Sequence, residues 1–248
     1  MKFSYSAVWE DTARLIRAHG PLIAAIAGVF IFLPALLLGY FLPPPQSGTA
    51  DAAENMRVTL QYYSTAWPWF LLQNLLAMTG MLAVLRLIFA RGTTVGAALT
   101  AAAALLPFYF LVSVISGILV GIGLVLLILP GAYLFGRLAV AGPVMVAETR
   151  RNPFEAMSRS FEVTKGHGWA IVGMVLLVII AGGVIIIVAD ALLGILLVTV
   201  AGPNLGRLLA QIVSSAAITG FTLVMAVLYA AIYRALTGNA TSTAAVFD

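Results

Sequence analysis

The chain has 248 residues, of which 62% are hydrophobic and only 9% are charged, and it contains no cysteine. Soluble domains carry about 25% charged residues, so this composition excludes a water-facing exterior and predicts a surface that contacts lipid. The absence of cysteine excludes disulfides, thiolate catalysis and cysteine-based metal sites. The net charge of +4 does not indicate nucleic-acid binding, because the basic residues sort by predicted membrane side.

Six apolar stretches predict six transmembrane helices in a single membrane domain covering residues 1–248. Each is close to or above the roughly 20 residues that cross a bilayer, and together they cover residues 21–42, 66–90, 97–120, 122–147, 168–189 and 205–236. The first stretch is longer than the apolar core of about 7–15 residues in a cleavable signal peptide, so we expect it to be retained. The predicted fold class is therefore all-α and polytopic.

Glycine and proline mark the connections between these spans. Gly117, Gly121 and Gly123 predict a tight hairpin between the third and fourth spans. Pro143 and Pro130 are expected to bend the fourth span, because a proline interrupts the hydrogen-bond ladder of a helix.

Two further features precede the second and the sixth spans. Asp51 is positioned to cap a short helix that leads into the second span. Residues 202–204 predict a turn before the sixth span, and the apolar residues 191–200 either extend the fifth helix or lie in the interface.

Two amphipathic segments, residues 4–18 and residues 153–165, predict helices that lie on the cytoplasmic membrane surface. The second begins with Asn152 as the cap and a proline in the first helical position. Glu155 and Arg159 are spaced for an i,i+4 ion pair on this helix. Its simplest interpretation is a membrane-lying linker.

The distribution of basic residues predicts that both termini are cytoplasmic. With this orientation ten basic residues fall on the inner side, namely Lys2, Arg14, Arg17, Arg86, Arg91, Arg150, Arg151, Arg159, Lys165 and Arg234. Only two fall on the outer side, Arg57 and Arg207. We also expect Asp190 to pair with Arg207 across the outer turn.

Arg137 falls within a predicted span. It precedes Glu148 by eleven positions, which is about 16 Å at the helical rise of 1.5 Å per residue. A charge at that depth costs about 2.5–3.5 kcal/mol, so the side chain is expected to face protein or water. Two interpretations stay open: a contact with an anion or lipid phosphate, and internal pairing with carbonyls freed by Pro143 or with Gln73 or Asn74.

The candidate lipid- or anion-binding residues are the basic groups near the inner surface, which attract anionic head groups. They are Arg137, Arg150, Arg151, Arg159, Lys165, His167, Arg17 and His19. The two histidines stand in similar contexts, RAHG and KGHG, which hints at a duplicated unit. Two histidines without further ligands make a poor metal site, so neither a metal nor another cofactor is predicted.

No pattern in the sequence indicates catalysis. The metalloprotease HExxH, the phosphate-binding P-loop and the nucleophile-elbow patterns are all missing from it. The spans also lack a mid-span acid of the kind that proton-coupled transporters use. We therefore predict that the chain is not an enzyme.

The central stretch and the N-terminus together resemble a known group of membrane proteins. The residues that carry the likeness are Leu129-Pro130-Gly131, Arg137-Leu138, Pro143-Val144, Glu148, Ala156, Ser158-Arg159-Ser160, Lys165 to Trp169, and Trp9-Glu10-Asp11-Thr12. They resemble the YciC family of inner-membrane proteins and the related membrane domain of glycerophosphodiester phosphodiesterases. The resemblance implies a multi-pass protein of the bacterial cytoplasmic membrane, and it carries over no phosphodiesterase activity.

Three functional hypotheses follow. The first is non-enzymatic binding or movement of a lipid or envelope component. The second is a small-solute exporter or channel, for which the polar candidates are Gln73, Asn74, Ser113, Ser116 and Gln211. The third is a scaffold that recruits a partner through residues 148–167. The Gly117-x-x-x-Gly121 pattern also permits a homodimer or a membrane-protein partner.

Overall fold

The computed structural model describes residues 3–45, 51–90 and 92–238. Within those ranges every regular element is helical: α1 (Tyr5–Ala27), a π-helical segment (Gly28–Phe32), α2 (Leu33–Phe41), α3 (Ala52–Phe89), α4 (Val95–Leu126), α5 (Ile128–Leu138), α6 (Ala141–Ala147), α7 (Pro153–Val163) and α8 (Gly168–Leu236). The predicted all-α class is confirmed. Lys2 and Arg91, assigned to the inner side, lie outside the described residues.

The helices make the chain an integral membrane protein with several crossings. Five stretches of the described chain are long and apolar enough to span a bilayer: Tyr5–Phe41, Ala52–Phe89, Val95–Leu126, Ile128–Ala147 and Gly168–Leu236. Helices satisfy every backbone polar group internally, which hydrocarbon demands.

The fifth stretch, α8, folds back on itself. Gly202 has φ 79°, in the left-handed region that glycine tolerates, and divides α8 into a first arm (168–201) and a second arm (203–236). A Cβ on Gly206 would lie 2.4 Å from the Cα of Val198, so the arms touch beside the turn. Ser214 of the second arm donates to the Asp190 carboxylate at 3.0 Å. A total of six spans requires both arms of α8 to cross the membrane, and this total stays a prediction.

The predicted surface helix at residues 4–18 is not a separate element. It is the first part of α1, which passes through Pro21 and continues via the π-helical segment and α2 to Phe41. A proline removes one hydrogen bond from a helix, whereas ending the helix there would leave several backbone groups unsatisfied. Pro34 lacks an amide hydrogen for the carbonyl of Phe30, which accounts for the wider π-helical turn before it.

The second span and the short helix predicted before it are one helix, α3. Asp51 caps it as predicted, accepting from the amide of Ala53 at 2.9 Å. The helix that it opens is not short, however, because it runs without a break to Phe89.

The glycine-rich stretch is not the turn between the third and fourth spans. The chain reverses at Leu127, which is extended (φ −156°) between α4 and α5. Gly123 serves close packing instead, since a Cβ on it would lie 2.8 Å from the Cα of Gly131, whereas Gly117 and Gly121 meet no atom within 4 Å. The predicted fourth span is two helices, α5 and α6, separated at Ala139 and Val140, just before Pro143.

One end of the bundle collects most of the charge that the helices carry. Asp11 of α1 lies 3.1 Å from Arg234 near the end of α8, and the rings of Phe89 and Tyr233 are 5.5 Å apart. We call this end, defined by Asp11, Glu148, Arg159 and Arg234, the charged end. The beginning of α1 and the end of α8 both lie there, which agrees with an even number of crossings.

The linker between α6 and α7 is strained at Thr149. This residue has φ 51°, the one positive value among the non-glycine residues that the structure describes. The amide of Arg150 donates to the carbonyl of Met145 at 3.0 Å, which is the closing bond of a motif that usually places glycine in the left-handed position. A β-branched residue there is costly.

Thr149→Gly is therefore expected to raise the free energy of unfolding by roughly 1 kcal/mol, since relief of the strain exceeds the added entropy of glycine. Thermal unfolding in detergent, followed by tryptophan fluorescence, measures the change. Thr149→Ala is the matched control, because alanine keeps a Cβ and most of the strain. A lower melting temperature for the glycine variant would contradict the argument.

Candidate functional site

Arg137 binds the C-terminal half of α7. Its Nε donates to Oγ1 of Thr164 at 2.9 Å, its Nη1 donates to the hydroxyl of Tyr133 at 2.9 Å, and its Nη2 donates to the carbonyl of Phe161. Its own carbonyl accepts from Oγ of Ser160 at 2.7 Å. All three guanidinium nitrogens therefore have partners inside the protein.

These contacts correct two expectations about Arg137. Its partners are residues of α5 and α7, not Gln73, Asn74 or the backbone near Pro143. It is also not deep in a straight helix, because the chain breaks directly after α5. A Cβ on Gly168, the first residue of α8, would lie 3.0 Å from the Cδ of Arg137. The arginine therefore lies beside the beginning of α8.

Aromatic rings complete the surroundings of this guanidinium. Its central carbon is 5.6 Å from the ring centre of Tyr133 and 5.2 Å from that of Phe161. Such cation–π contacts stabilise a cation that has lost part of its hydration. Arg137 thus fastens α5 to α7, and sequence reasoning missed this because the partners lie 24 and 27 positions away.

Glu148 is the second fixed point of the charged end. Its Oε1 accepts from Nε of Arg159 at 3.0 Å and from the hydroxyl of Tyr233 at 3.1 Å. Its Oε2 accepts from Nε of Arg150 at 2.7 Å. One carboxylate therefore joins the end of α6, the middle of α7 and the end of α8.

The predicted ion pair between Glu155 and Arg159 is wrong. Arg159 binds Glu148 and Glu162, both at 3.0 Å. Glu155 lies 3.6 Å from Arg150 instead. The linker turns α7 back beside the end of α6. Arg159 therefore binds Glu148, 11 positions away, rather than Glu155, which is one helical turn away.

The surroundings of Glu148 also set its protonation. Partial burial raises the pKa of this carboxyl, but the hydrogen bonds from Arg150, Arg159 and Tyr233 together lower it below the ordinary value of 4.5. Glu148 in turn raises the pKa of Arg159. Both groups are therefore charged at neutral pH, and each neutralises the other.

The other predicted head-group residues have different environments. Arg17, Arg151 and Lys165 are exposed and have no ion-pair partner in the described part of the chain. His19 donates from Nδ1 to the carbonyl of Leu15 at 3.2 Å, a contact within its own helix. The ring of His167 lies against that of Phe3, with 6.1 Å between centres.

An apolar groove of about 620 Å³, which we call the aromatic groove, lies between α1 and both arms of α8. Its walls include Tyr5, Trp9, Ala181 and Phe221. Tyr5 packs on Phe3 with 5.6 Å between ring centres, and Phe3 in turn packs on His167. One end of the groove therefore lies close to the α7–α8 connection. Tyr5 and Trp9 are four positions apart and therefore share one face of a helix. This spacing is a sequence signal that could have indicated the groove.

The five polar residues proposed for a channel do not share one path. Ser113 and Ser116 line a cavity beside α5, whereas Gln73 lines a separate apolar groove against α2. Gln211 lies near Pro43 at the opposite end of the bundle, and Asn74 is exposed. This distribution counts against the channel hypothesis.

Asp190 and Arg207 line one cleft of about 1140 Å³ at the end opposite the charged end. Asp190 accepts from Ser214 rather than forming the predicted ion pair with Arg207. Asp190 and Ser214 are equally far along the chain from Gly202, where the two arms of α8 meet. The antiparallel arms therefore place Ser214, and not Arg207, beside Asp190.

Arg137→Met is expected to loosen α7 selectively. The variant keeps the apolar stem but loses the charged hydrogen bonds, which are worth about 1.5–3 kcal/mol, so amide protection in residues 153–163 should fall correspondingly. Hydrogen–deuterium exchange measures this loss. Arg151→Gln, which removes an exposed charge next to the same helix, should leave the protection unchanged. Equal protection in both variants would show that Arg137 does not hold α7.

Glu148→Gln tests the second fixed point through pH. A lowered pKa means that Glu148 contributes stability fully above its unfolded value of 4.5 and loses that contribution as the pH falls through the folded value. The melting-temperature advantage of the wild type over Glu148→Gln should therefore shrink from about pH 6 to about pH 3. Glu10→Gln, at an exposed acid of α1, is the control. A constant difference at every pH would contradict the assignment.

Comparison with known proteins shows the family to which the chain belongs. No solved structure matches the chain. Residues 106–246, more than half of the chain, match the family described as the membrane domain of glycerophosphoryl diester phosphodiesterase. The matched part contains Arg137, Glu148, α7 and both arms of α8, whereas α1 lies before it. The chain therefore belongs to the family of the glycerophosphoryl diester phosphodiesterase membrane domain.

Proposed function

We propose that this protein is a non-enzymatic phospholipid-binding protein of the bacterial inner membrane. An acyl chain occupies the aromatic groove, and the anionic head group lies beside Lys165 on the cytoplasmic side. The observation that carries the proposal is the position of the groove. One end of it adjoins the α7–α8 connection, where Lys165 is exposed and has no ion-pair partner among the described residues.

The lining of the groove suits hydrocarbon. Apart from Ser6 and the hydroxyl of Tyr5, it consists of apolar and aromatic side chains contributed by α1 and the two arms of α8. Both arms belong to a stretch apolar enough to span a bilayer, so the medium that reaches the groove is lipid. Tyrosine and tryptophan favour the membrane interface, where their polar edges meet head groups.

The charge arrangement separates structural arginines from available cations. Arg137, Arg150 and Arg159 are bound to α7 and Glu148, so an incoming phosphate would have to displace an internal contact. Lys165 has no ion-pair partner within the ranges that the structure describes, so a phosphate that binds it displaces no internal ion pair there. A basic residue near an anionic membrane surface contributes about 1 kcal/mol to lipid attraction.

The non-enzymatic part of the proposal rests on Glu148. A general base must be free to take a proton from the substrate. Glu148 instead accepts three hydrogen bonds, two of them from arginines. The charged end is thus arranged to hold helices together.

Native mass spectrometry of the protein in mild detergent tests the proposal. The wild type should retain an anionic phospholipid, and Lys165→Gln should reduce that retention about fivefold, in line with about 1 kcal/mol. Ala181→Trp, which fills the groove, should abolish it. The matched controls are Arg207→Gln at the opposite end and Val184→Trp on a lipid-facing position outside the groove; both should retain lipid.

Two outcomes would overturn the proposal. One is a wild type that carries no phospholipid, which would favour a scaffold role and direct crosslinking to residues 148–167. The other is equal retention in all four variants, which would show that lipid binds without using this groove.

A further inference from the structure

A second cavity, distinct from the aromatic groove, lies where α5 and α6 meet. It has a volume of about 270 Å³ and is lined by α3, α4, the α5–α6 break and the second arm of α8. Its polar lining comes from Tyr109, Ser113, Ser116 and Tyr229. We call it the tyrosine cavity.

One hydroxyl of this cavity lacks a partner. Oγ of Ser116 is buried and makes no hydrogen bond. By contrast, Oγ of Ser113 donates to the carbonyl of Tyr109 at 2.9 Å. The hydroxyl of Tyr109 donates to the sulfur of Met81 at 3.5 Å, and sulfur is a weak acceptor. Buried hydroxyls without a partner are rare in proteins, and each calls for an explanation, such as a water or a ligand that completes it.

The α5–α6 break leaves one backbone carbonyl beside this cavity without its usual donor. Pro143 has no amide hydrogen, so the carbonyl of Ala139 loses its usual helical donor. Both residues line the cavity. The polar side chains of the lining belong to α4 and to the second arm of α8, and the remaining side chains are apolar.

The lining specifies the charge and size of a ligand. None of its side chains is an acid or a basic residue, and a charged ligand would be costly to bury without a counter-charge. An apolar protein cavity of about 150 Å³ accepts benzene, so 270 Å³ accommodates a substituted ring. Tyr109, Phe135 and Tyr229 offer ring faces and edges for packing.

The approach to the cavity is from the lipid-facing side of α4. Gly117 lines the cavity and is exposed. A Cβ built on it meets no atom within 4 Å, so a gap remains between α4 and its neighbours. A ligand dissolved in the bilayer has access there.

We infer that the tyrosine cavity binds an uncharged, lipid-soluble ring that carries carbonyl oxygens, of the quinone class. The hydroxyl of Ser116 donates to one carbonyl, and Tyr229 of α8 lines the same cavity. This site is independent of the phospholipid groove and of Lys165.

Duroquinone and durene form a matched pair of probes, because both are tetramethylated six-membered rings and only the quinone has acceptors. Full-length protein labelled with 3-fluorotyrosine in detergent micelles reports binding by fluorine NMR. Tyr109→Phe and Tyr229→Phe assign the two resonances, and the exposed Tyr63 is the internal reference. Duroquinone should shift the Tyr109 and Tyr229 signals saturably, and durene should bind at least about tenfold more weakly.

Ser116→Ala should weaken duroquinone binding about three- to tenfold, the range expected for one hydrogen bond. Thr222→Ala should leave the affinity unchanged, since that hydroxyl lies outside the cavity lining and donates to the carbonyl of Ile218 at 2.9 Å. Ser116→Leu fills the cavity and should abolish binding of both probes.

Three results would overturn the inference. They are the absence of saturable shifts, equal affinity for the two probes, and equal affinity of Ser116→Ala and the wild type. The first would leave the cavity to water, and the second would make it a purely apolar void. Each is separate from phospholipid retention, so either proposal can fail alone.

Discussion

The attachment of α7 to the rest of the bundle is the interaction on which the charged end depends. Two groups make it: the Arg137 guanidinium at the end of α5 and the Glu148 carboxylate at the end of α6. Both are charges brought next to apolar helices, where each is stable only with several partners. The hydroxyls and carbonyls of α7 supply those partners for Arg137, and two arginines and Tyr233 supply them for Glu148. The position of α7 and the protonation of Glu148 are thus coupled.

This coupling determines which cations are available. An arginine that closes a hydrogen-bond network cannot also bind a head group without breaking that network. Arg137, Arg150 and Arg159 are therefore structural, and the exposed Lys165 beside the aromatic groove becomes the better head-group contact. The same reasoning separates the two cavities: one end of the groove lies near Lys165, which has no ion-pair partner in the part of the chain that the structure describes, and the polar side chains of the tyrosine cavity are all neutral hydroxyls.

The predictions from sequence were accurate where local chemistry decides. The caps at Asp51 and Asn152 and the turn at Gly202 follow from neighbouring residues, and the structure confirms each. The helix predicted over residues 153–165 is present as Pro153–Val163, two residues shorter at its end. The errors have different causes. The boundary predicted at Pro21 and the turn predicted at residues 117–123 are replaced by continuous helices, since α1 passes through Pro21 and α4 continues to Leu126. The predicted pairing of Glu155 with Arg159 is replaced by a contact from Glu148, which lies 11 positions from Arg159.

The sequence by itself determined that this chain is an all-helical membrane protein, because 62% hydrophobic residues and apolar stretches of bilayer length permit no other exterior. It also indicated that Arg137 faces protein or water, since a lone charge in hydrocarbon is costly. Only the tertiary structure decided what Arg137 binds, which basic residues stay free and where grooves lie between helices. Those features depend on side chains that meet from 11 to 85 positions apart, and periodicity along one helix carries no information about such distances.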